Sequence, residues 1–348
     1  MRTTSQPELE LDKLAAEQLI TDLYINALGR DPGVAEYEKW VDTAINDLPP
    51  EKVVRAFYQS DEYLKKKAVK SIFPAGHYHS PVVDPSLVKD YVSKERGAGL
   101  DDIPGVPLEI GGMRKLWSEN LTFIQSTPFT DEVSAKNRYN YLGGPYPWGD
   151  AITLRMMMHH FRPRRIIEIG SGYSTACMLD SAEHSSLSGL NLTCIEPYPD
   201  RLLSLLREGD LDSLTLIDRP VQEVPATIVD SLEKNDILFI DSTHVMKTGS
   251  DVHYELFHLI PRLAPGVVIH VHDVEFPFEY PDQWIFESNY SWNEAYALRA
   301  FLMFNPEFRV VFWNSLFARS YTAAIRDEYP TFLRNPGTSI WIERIRPA

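Results

Sequence analysis

Between residues 165 and 271, five short apolar runs alternate with segments of helical spacing. The runs are Arg165–Ile169, Leu192–Ile195, Leu214–Ile217, Ile237–Ile240 and Val267–Val271. Helices are expected between them, at Thr175–Ala182, Asp200–Arg207 and around Val252–Leu263. Apolar strands separated by helices predict a parallel sheet covered by helices on both faces. The expected class is therefore α/β, a doubly wound and mostly parallel sheet. Arg309–Trp313 and Ser339–Ile342 are two later strand candidates. Ligands in such sheets sit beyond the carboxyl ends of the strands. The residues just after each strand are thus the ones that carry information about function.

The first strand runs out into Glu168-Ile169-Gly170-Ser171-Gly172-Tyr173-Ser174-Thr175. Two glycines one residue apart let the backbone turn sharply and approach a ligand closely. The helix that follows offers unpaired N–H groups at its start. A dinucleotide fingerprint would want a third glycine where Thr175 stands, and there is no G-K-[ST] phosphate cradle. The second strand ends in Cys194-Ile195-Glu196-Pro197. A carboxylate there can accept hydrogen bonds from both hydroxyls of a ribose. Together, E-x-G-x-G and an acid after the second strand resemble class I S-adenosylmethionine (SAM) methyltransferases, whose sheet is Rossmann-like. The resemblance spans roughly residues 145–345. It implies that Gly170, Ser171, Gly172, Tyr173 and Ser174 wrap the amino-acid end of the cofactor. Glu168 then lies near the cofactor's amino group, Glu196 with Pro197 behind it holds the ribose, and Val221-Gln222 face the adenine.

The fourth strand ends in Asp241-Ser242-Thr243-His244 and the fifth in His270-Val271-His272-Asp273. With strands four and five expected as neighbours of strand one, Asp241, His244, His272 and Asp273 converge near the cofactor. Carboxylates and imidazoles in one place can bind a divalent cation. The arrangement resembles catechol-type metal-dependent O-methyltransferases, and also the group of macrocin-type sugar methyltransferases and cephalosporin hydroxylases. In the catechol type, an acid after strand four and an Asp-Asn pair after strand five hold Mg²⁺, and a lysine serves as base. Asp241 matches the first ligand, His272-Asp273 stands where Asp-Asn is expected, and His244 stands where the lysine is. Asp241, His272 and Asp273 are the implied metal ligands. The histidine leaves Mg and Fe both open, since imidazole favours softer ions. Methyl transfer needs an in-line approach and removal of one proton from the nucleophile. His244, with an ordinary pKa of about 6.5, suits that removal, while Asp241 and His272 orient the acceptor. His270 alternates with His272 and is expected to be a core residue.

The stretch from Asp241 to Asp251, with His272 to Trp284 and Gly76 to Pro81, resembles a set of uncharacterised bacterial SAM methyltransferases. They share D-S-x-H-x-x-K-T-G-S-D, H-D-[IV]-x-x-P-x-x-Y-P and an upstream G-H-[FY]-x-S-P. That likeness brings no substrate with it. Tyr146, Trp148, Phe276, Phe278, Tyr280 and Trp284 are candidates for an aromatic-lined acceptor pocket or for ordinary packing. The expected acceptor is a hydroxyl on a small molecule or sugar unit. The competing readings are an iron-dependent oxygenase on the same fold and a non-catalytic assembly protein.

The 348 residues suggest more than one domain. Residues 1–70 are expected to form a helical module, 71–144 connecting helices and loops over the active site, and 145–348 the SAM-binding domain. Gly76–Asp84 and Gly143–Asp150 read as loops, because of their Pro and Gly content. In the helical module, Leu23, Tyr24, Leu28, Gly29, Arg30, Pro32, Trp40, Phe57, Ser60, Asp61 and Tyr63 resemble a domain of unknown function related to phycobilisome linker repeats. That likeness implies docking to a protein partner or self-association through residues 11–70. Lys and Arg total 34 against 49 Asp and Glu, a formal charge of −15. Such a chain repels phosphate backbones, so nucleic acid is not expected as a partner. The short Lys65-Lys66-Lys67 run reads as a solvated helix face. Cys177 and Cys194 lack C-x-x-C spacing and read as core residues of a reducing, cytoplasmic setting. No signal peptide and no membrane span are expected.

Overall fold

The computed structural model describes residues 13–25, 32–47, 50–58, 60, 63, 73–97, 103–185, 187 and 189–345. Leu28, Gly29, Arg30, Asp61 and Lys65-Lys66-Lys67 lie outside the described residues. The chain divides into two compact units, Met1–Pro74 and Ala75–Ala348.

Among the described residues of the first unit the α-helices are Lys13–Leu23, Val34–Asp42 and Pro50–Tyr58. Ala16, Ile20, Leu23, Tyr24, Val41, Ala44, Val53 and Phe57 form its core. The apolar residues recur at helical spacing and so share one face of each helix. Phe57 is the centre, with the rings of Tyr24 at 5.0 Å and Trp40 at 5.6 Å.

The second unit is built on one seven-stranded sheet: β1 Arg165–Ile169, β2 Asn191–Ile195, β3 Leu214–Ile217, β4 Ile237–Ile240, β5 Val268–Val271, β6 Phe308–Trp313 and β7 Ile340–Arg344. Their order is β3-β2-β1-β4-β5-β7-β6. The first five strands run parallel, and β7 pairs antiparallel with both β5 and β6. β1 and β4 are buried almost throughout, as strands with helices on both faces must be. One expectation is corrected. β5 does not lie beside β1; β4 stands between them. The order reverses at the β1/β4 step, which is where a ligand crevice forms.

Helices differ more from the sequence reading. Trp148–Phe161 is a helix that begins inside the expected Gly143–Asp150 loop. Its middle is buried on nearly every side, so it carries no amphipathic stripe to read. The expected helix at Val252–Leu263 is a chain of α, π and 3₁₀ turns over residues 251–262. Pro261 at its end removes a backbone donor. Helices Glu294–Leu302 and Asn314–Glu328 complete the C-terminal part. Among the described residues no helix is long and apolar enough to cross a membrane.

Arg138 ties the 103–147 segment to the sheet domain. Its guanidinium, 5% exposed, bonds Asp180 at 2.7 Å, Asp210 at 2.6 and 2.7 Å, and Glu183 at 2.7 Å.

Candidate active site

The hydrogen-bond ladder continues one residue past four strands, and this aligns the functional side chains. Gly170 N donates to Ile195 O, Glu196 N to Ile217 O, Asp241 N to Ile169 O and His272 N to Ile240 O, all at 2.9–3.1 Å. Gly170, Glu196, Asp241 and His272 therefore stand in one row along the carboxyl edge of the sheet. A cleft of about 340 Å³ opens over that row. Gly170–Ser174 and Glu196 line one part of it, and Asp241, His244, His272 and Asp273 another.

Gly170 has φ +83, and a Cβ there would fall 1.8 Å from the carbonyl oxygen of Asp241. Only glycine permits both the left-handed backbone and that approach. Thr175 explains the departure from a third glycine. Its Oγ1 accepts from Gly172 N at 3.0 Å and donates to Glu168 Oε2 at 2.5 Å. Ser174 Oγ donates to Glu168 Oε1 at 2.6 Å. Glu168 is fully buried and outside the cleft lining. Its carboxylate is tied to the glycine turn from beneath. Burial pushes its carboxyl up to about 7, against the pull of the hydroxyls.

Glu196 does line the cleft. Its Oε2 accepts from Ser171 N at 3.2 Å and Oε1 from Tyr198 N at 2.8 Å. These two bonds fix the carboxylate and leave it further acceptor capacity, since its two oxygens offer about four lone-pair sites. Its pKa is raised by partial burial. The chemistry of this group fits a ribose diol. Pro197 and Gln222 are outside the cleft lining, and Gln222 Nε2 donates to Gly249 O at 3.0 Å.

At the other end two imidazoles face two carboxylates. His244 Nε2 lies 3.5 Å from Asp241 Oδ1 and 3.4 Å from Asp273 Oδ2. His272 Nδ1 lies 3.3 Å from Asp241 Oδ1 and 3.4 Å from Asp273 Oδ1. Each imidazole has a buried acid behind it. His244 Nδ1–H donates to Glu294 Oε2 at 2.8 Å, and His272 Nε2–H to Asp150 Oδ2 at 3.3 Å. Sequence reasoning missed Glu294 and Asp150. An acid in the first turn of a helix is commonplace, and both stand there. His244 has φ +61 and Asp273 φ +57. Non-glycine residues in that region carry strain of the kind that clusters at functional sites.

Burial opposes charge throughout the cluster, yet the opposite charges win. His244 is raised to about 10 by Asp241, Glu294 and Asp273 despite its burial. His272 is raised well above its ordinary value by Asp241, Asp273 and Asp150, again against burial. Asp241 and Asp273 are held below the usual carboxylate range by the two imidazoles, although burial pushes them up. His270 is separate. It is fully buried, stacked on Phe239 at 3.7 Å and bonded to Ser339 Oγ at 3.0 Å, and its pKa is depressed by burial. It is a core residue, as expected.

A donor set for a cation exists here. The ligand atoms of Asp241, His244 and Asp273 lie within 4.8 Å of one another. Two carboxylates and one imidazole fit a divalent ion of mixed oxygen and nitrogen preference. His272 belongs to the same cluster but not to this grouping.

A sheet in this order, with a glycine turn at its switch point and a carboxylate on the next strand, defines a class I SAM-dependent methyltransferase. Residues 167–274 match the family described as a methyltransferase domain, and residues 8–67 match the domain of unknown function DUF4214. The chain belongs to one family with an uncharacterized protein of Archaeoglobus fulgidus, 31% identical over 180 residues that cover 49% of this chain and 78% of that one. Solved structures of low similarity include the SAH-bound methyltransferase PaMTH1 of Podospora anserina, with 16% identity, 74% of this chain and 97% of that chain covered and a TM-score of 0.38. The O-methyltransferase TomG of Streptomyces achromogenes, in complex with SAM, gives 14%, 76%, 100% and 0.38.

Proposed function

We propose that the protein transfers the methyl group of SAM to a hydroxyl oxygen of a small-molecule acceptor. The observation that carries this reading is one cleft with two chemically distinct ends. The glycine turn and Glu196 would hold the cofactor, with the ribose on Glu196. The Asp241–His244–Asp273–His272 end would hold the acceptor. The acceptor oxygen attacks the sulfonium methyl, the C–S bond breaks toward sulfur, and the hydroxyl proton leaves.

The histidine roles divide differently from the sequence expectation of His244 as base. His244, with Asp241 and Asp273, would hold a divalent cation, and Glu294 would fix its tautomer from behind, as a carboxylate behind a metal-bound histidine does. A cation held there would supply charge that offsets the two carboxylates and lowers the pKa of an acceptor hydroxyl, and His272 would be the imidazole left to take the proton. His272 Nδ1 lies between the two carboxylates, 3.3 Å from Asp241 and 3.4 Å from Asp273. The ring lines both the cofactor cleft and the cavity beyond it, whereas His244 lines the cleft alone. His272 Nδ1 is thus the atom we assign as proton acceptor, with Asp150 holding Nε2. A donor set with one imidazole and two carboxylates also favours this reading over a two-histidine iron oxygenase. For the N-terminal unit we retain a docking role, on its likeness to linker repeats.

Calorimetric titration with SAH tests the cofactor assignment. Hydrogen bonds to a charged group contribute about 1.5–3 kcal/mol each. Glu196→Ala should therefore weaken SAH at least about tenfold, and unchanged affinity defeats the ribose assignment.

A further inference from the structure

The cleft does not end at the two carboxylates. Past His272 and Asp273 it meets a second cavity of about 840 Å³, toward the upper end of ordinary small-ligand sites. His272, Asp273 and Trp292 line both spaces. A molecule in the larger one therefore reaches the reacting groups.

One wall of this cavity is aromatic. Tyr290 and Trp292 stack at 4.5 Å and 22°, Trp284 meets Trp292 edge-on at 5.3 Å and 67°, and the three rings separate this cavity from a neighbouring one of about 370 Å³ that they also line. Trp292 in turn lies 4.4 Å from the His244 ring, so the wall is anchored to the reaction centre. Trp148 lines another part. Gln283, Ser315, Asn335 and Thr338 supply amide and hydroxyl groups, and Glu275 a carboxylate. The described lining residues include no lysine or arginine. Arg334, whose guanidinium sits 4.4 Å over the Trp148 ring, is outside the lining and bound to Asp131 at 2.7 and 2.9 Å.

We propose that this cavity takes a phosphate-free carbohydrate, with a sugar ring laid on the Trp284–Tyr290–Trp292 wall. This names the acceptor class and rests on the methyl-transfer reading above. A pyranose has an apolar C–H face and a rim of hydroxyls. The aromatic wall fits the face, and the amides and hydroxyls fit the rim. Ser315 accepts from Phe276 N at 2.9 Å, Asn335 from Gly337 N at 3.0 Å, and Thr338 donates to Asp273 at 2.9 Å; the capacity that remains on these groups suits the several hydroxyls of a sugar better than a flat phenol. A nucleotide or phosphate-linked acceptor would bring negative charge beside Glu275, and the described lining offers no lysine or arginine to meet it. Trp284 is the specificity residue best placed for a test, because it lines this cavity and not the cofactor cleft.

The full-length protein is assayed with labelled SAM against methyl β-D-galactopyranoside, methyl α-L-rhamnopyranoside, catechol and UDP-glucose. Binding of the same probes to the SAH-loaded protein is followed by saturation-transfer NMR. A neutral glycoside should be methylated, with kcat/KM at least about tenfold above both catechol and UDP-glucose. Trp284→Ala should raise KM for that glycoside about two- to tenfold, since an aromatic contact contributes about 0.5–1.5 kcal/mol. Trp284→Phe should restore most of it, and SAH affinity should stay at wild type in both. Preference for catechol or UDP-glucose, or no glycoside binding to the SAH-loaded protein, overturns the carbohydrate assignment and leaves methyl transfer standing. Failure to bind SAH at all removes the methyl-transfer reading and this one with it.

Discussion

Glu168 makes the pH dependence of stability a direct probe of how the glycine turn is built. Its side chain is completely buried at the end of β1. Two hydroxyls at 2.5 and 2.6 Å donate to it, and the thiol of Cys194 lies at 3.5 Å. Those donors favour the anion; burial opposes it more strongly and leaves the carboxyl at about 7 in the folded protein. The unfolded chain releases the same proton near 4.5. Between these values the folded state binds the extra proton, so stability falls as pH rises through the window and levels off above it. At about 1.36 kcal/mol per pH unit the interval amounts to about 3 kcal/mol. Glu168→Gln keeps the size and accepts from one hydroxyl while its amide donates to the other, but it cannot titrate. Urea unfolding of both proteins at roughly pH 5 and pH 8 isolates the effect, because other groups cancel in the difference. Glu168→Gln should gain about 2–3 kcal/mol relative to wild type over that range. A difference that does not move with pH would refute the reasoning. It would mean that the Ser174 and Thr175 hydroxyls already hold the anion at low pH.

Two further perturbations probe the frame. Gly170→Ala places a Cβ against the Asp241 carbonyl in a left-handed backbone. The backbone contributes about 1–2 kcal/mol and the clash about 1–3 kcal/mol of destabilisation. SAH affinity should fall with stability, and wild-type unfolding and SAH titration curves would contradict the close approach. Arg138→Met leaves Asp180 and Asp210 buried without their cation. Loss of one partner from a buried ion network costs about 3–5 kcal/mol. An unfolding midpoint equal to wild type would show that this network does not anchor the 103–147 segment.

The sheet was legible because each of its parallel strands is a short, nearly continuous apolar run. Such runs end where a polar or turn-forming residue appears, so their carboxyl ends fall on Gly170, Glu196, Asp241 and His272. The ladder bonds then place those residues in one row without further information. What sequence spacing does not encode is the second ring of partners. Glu294 reaches His244 across 50 residues and Asp150 reaches His272 across 122. In the sequence Asp150 is the last residue of an expected loop and Glu294 an acid in a stretch with no expected element, so neither stands out. The same limit explains Glu168. Its place in E-x-G-x-G points toward the cofactor, but two residues just after the motif, Ser174 and Thr175, capture its carboxylate. A hydroxyl at 175 takes the place of a glycine and ties the Gly172 amide to a buried acid. The motif is therefore held by hydrogen bonds beneath the turn as well as by glycine conformation. Exchange of Thr175 for glycine, toward the dinucleotide pattern, would remove the link that shapes this cleft.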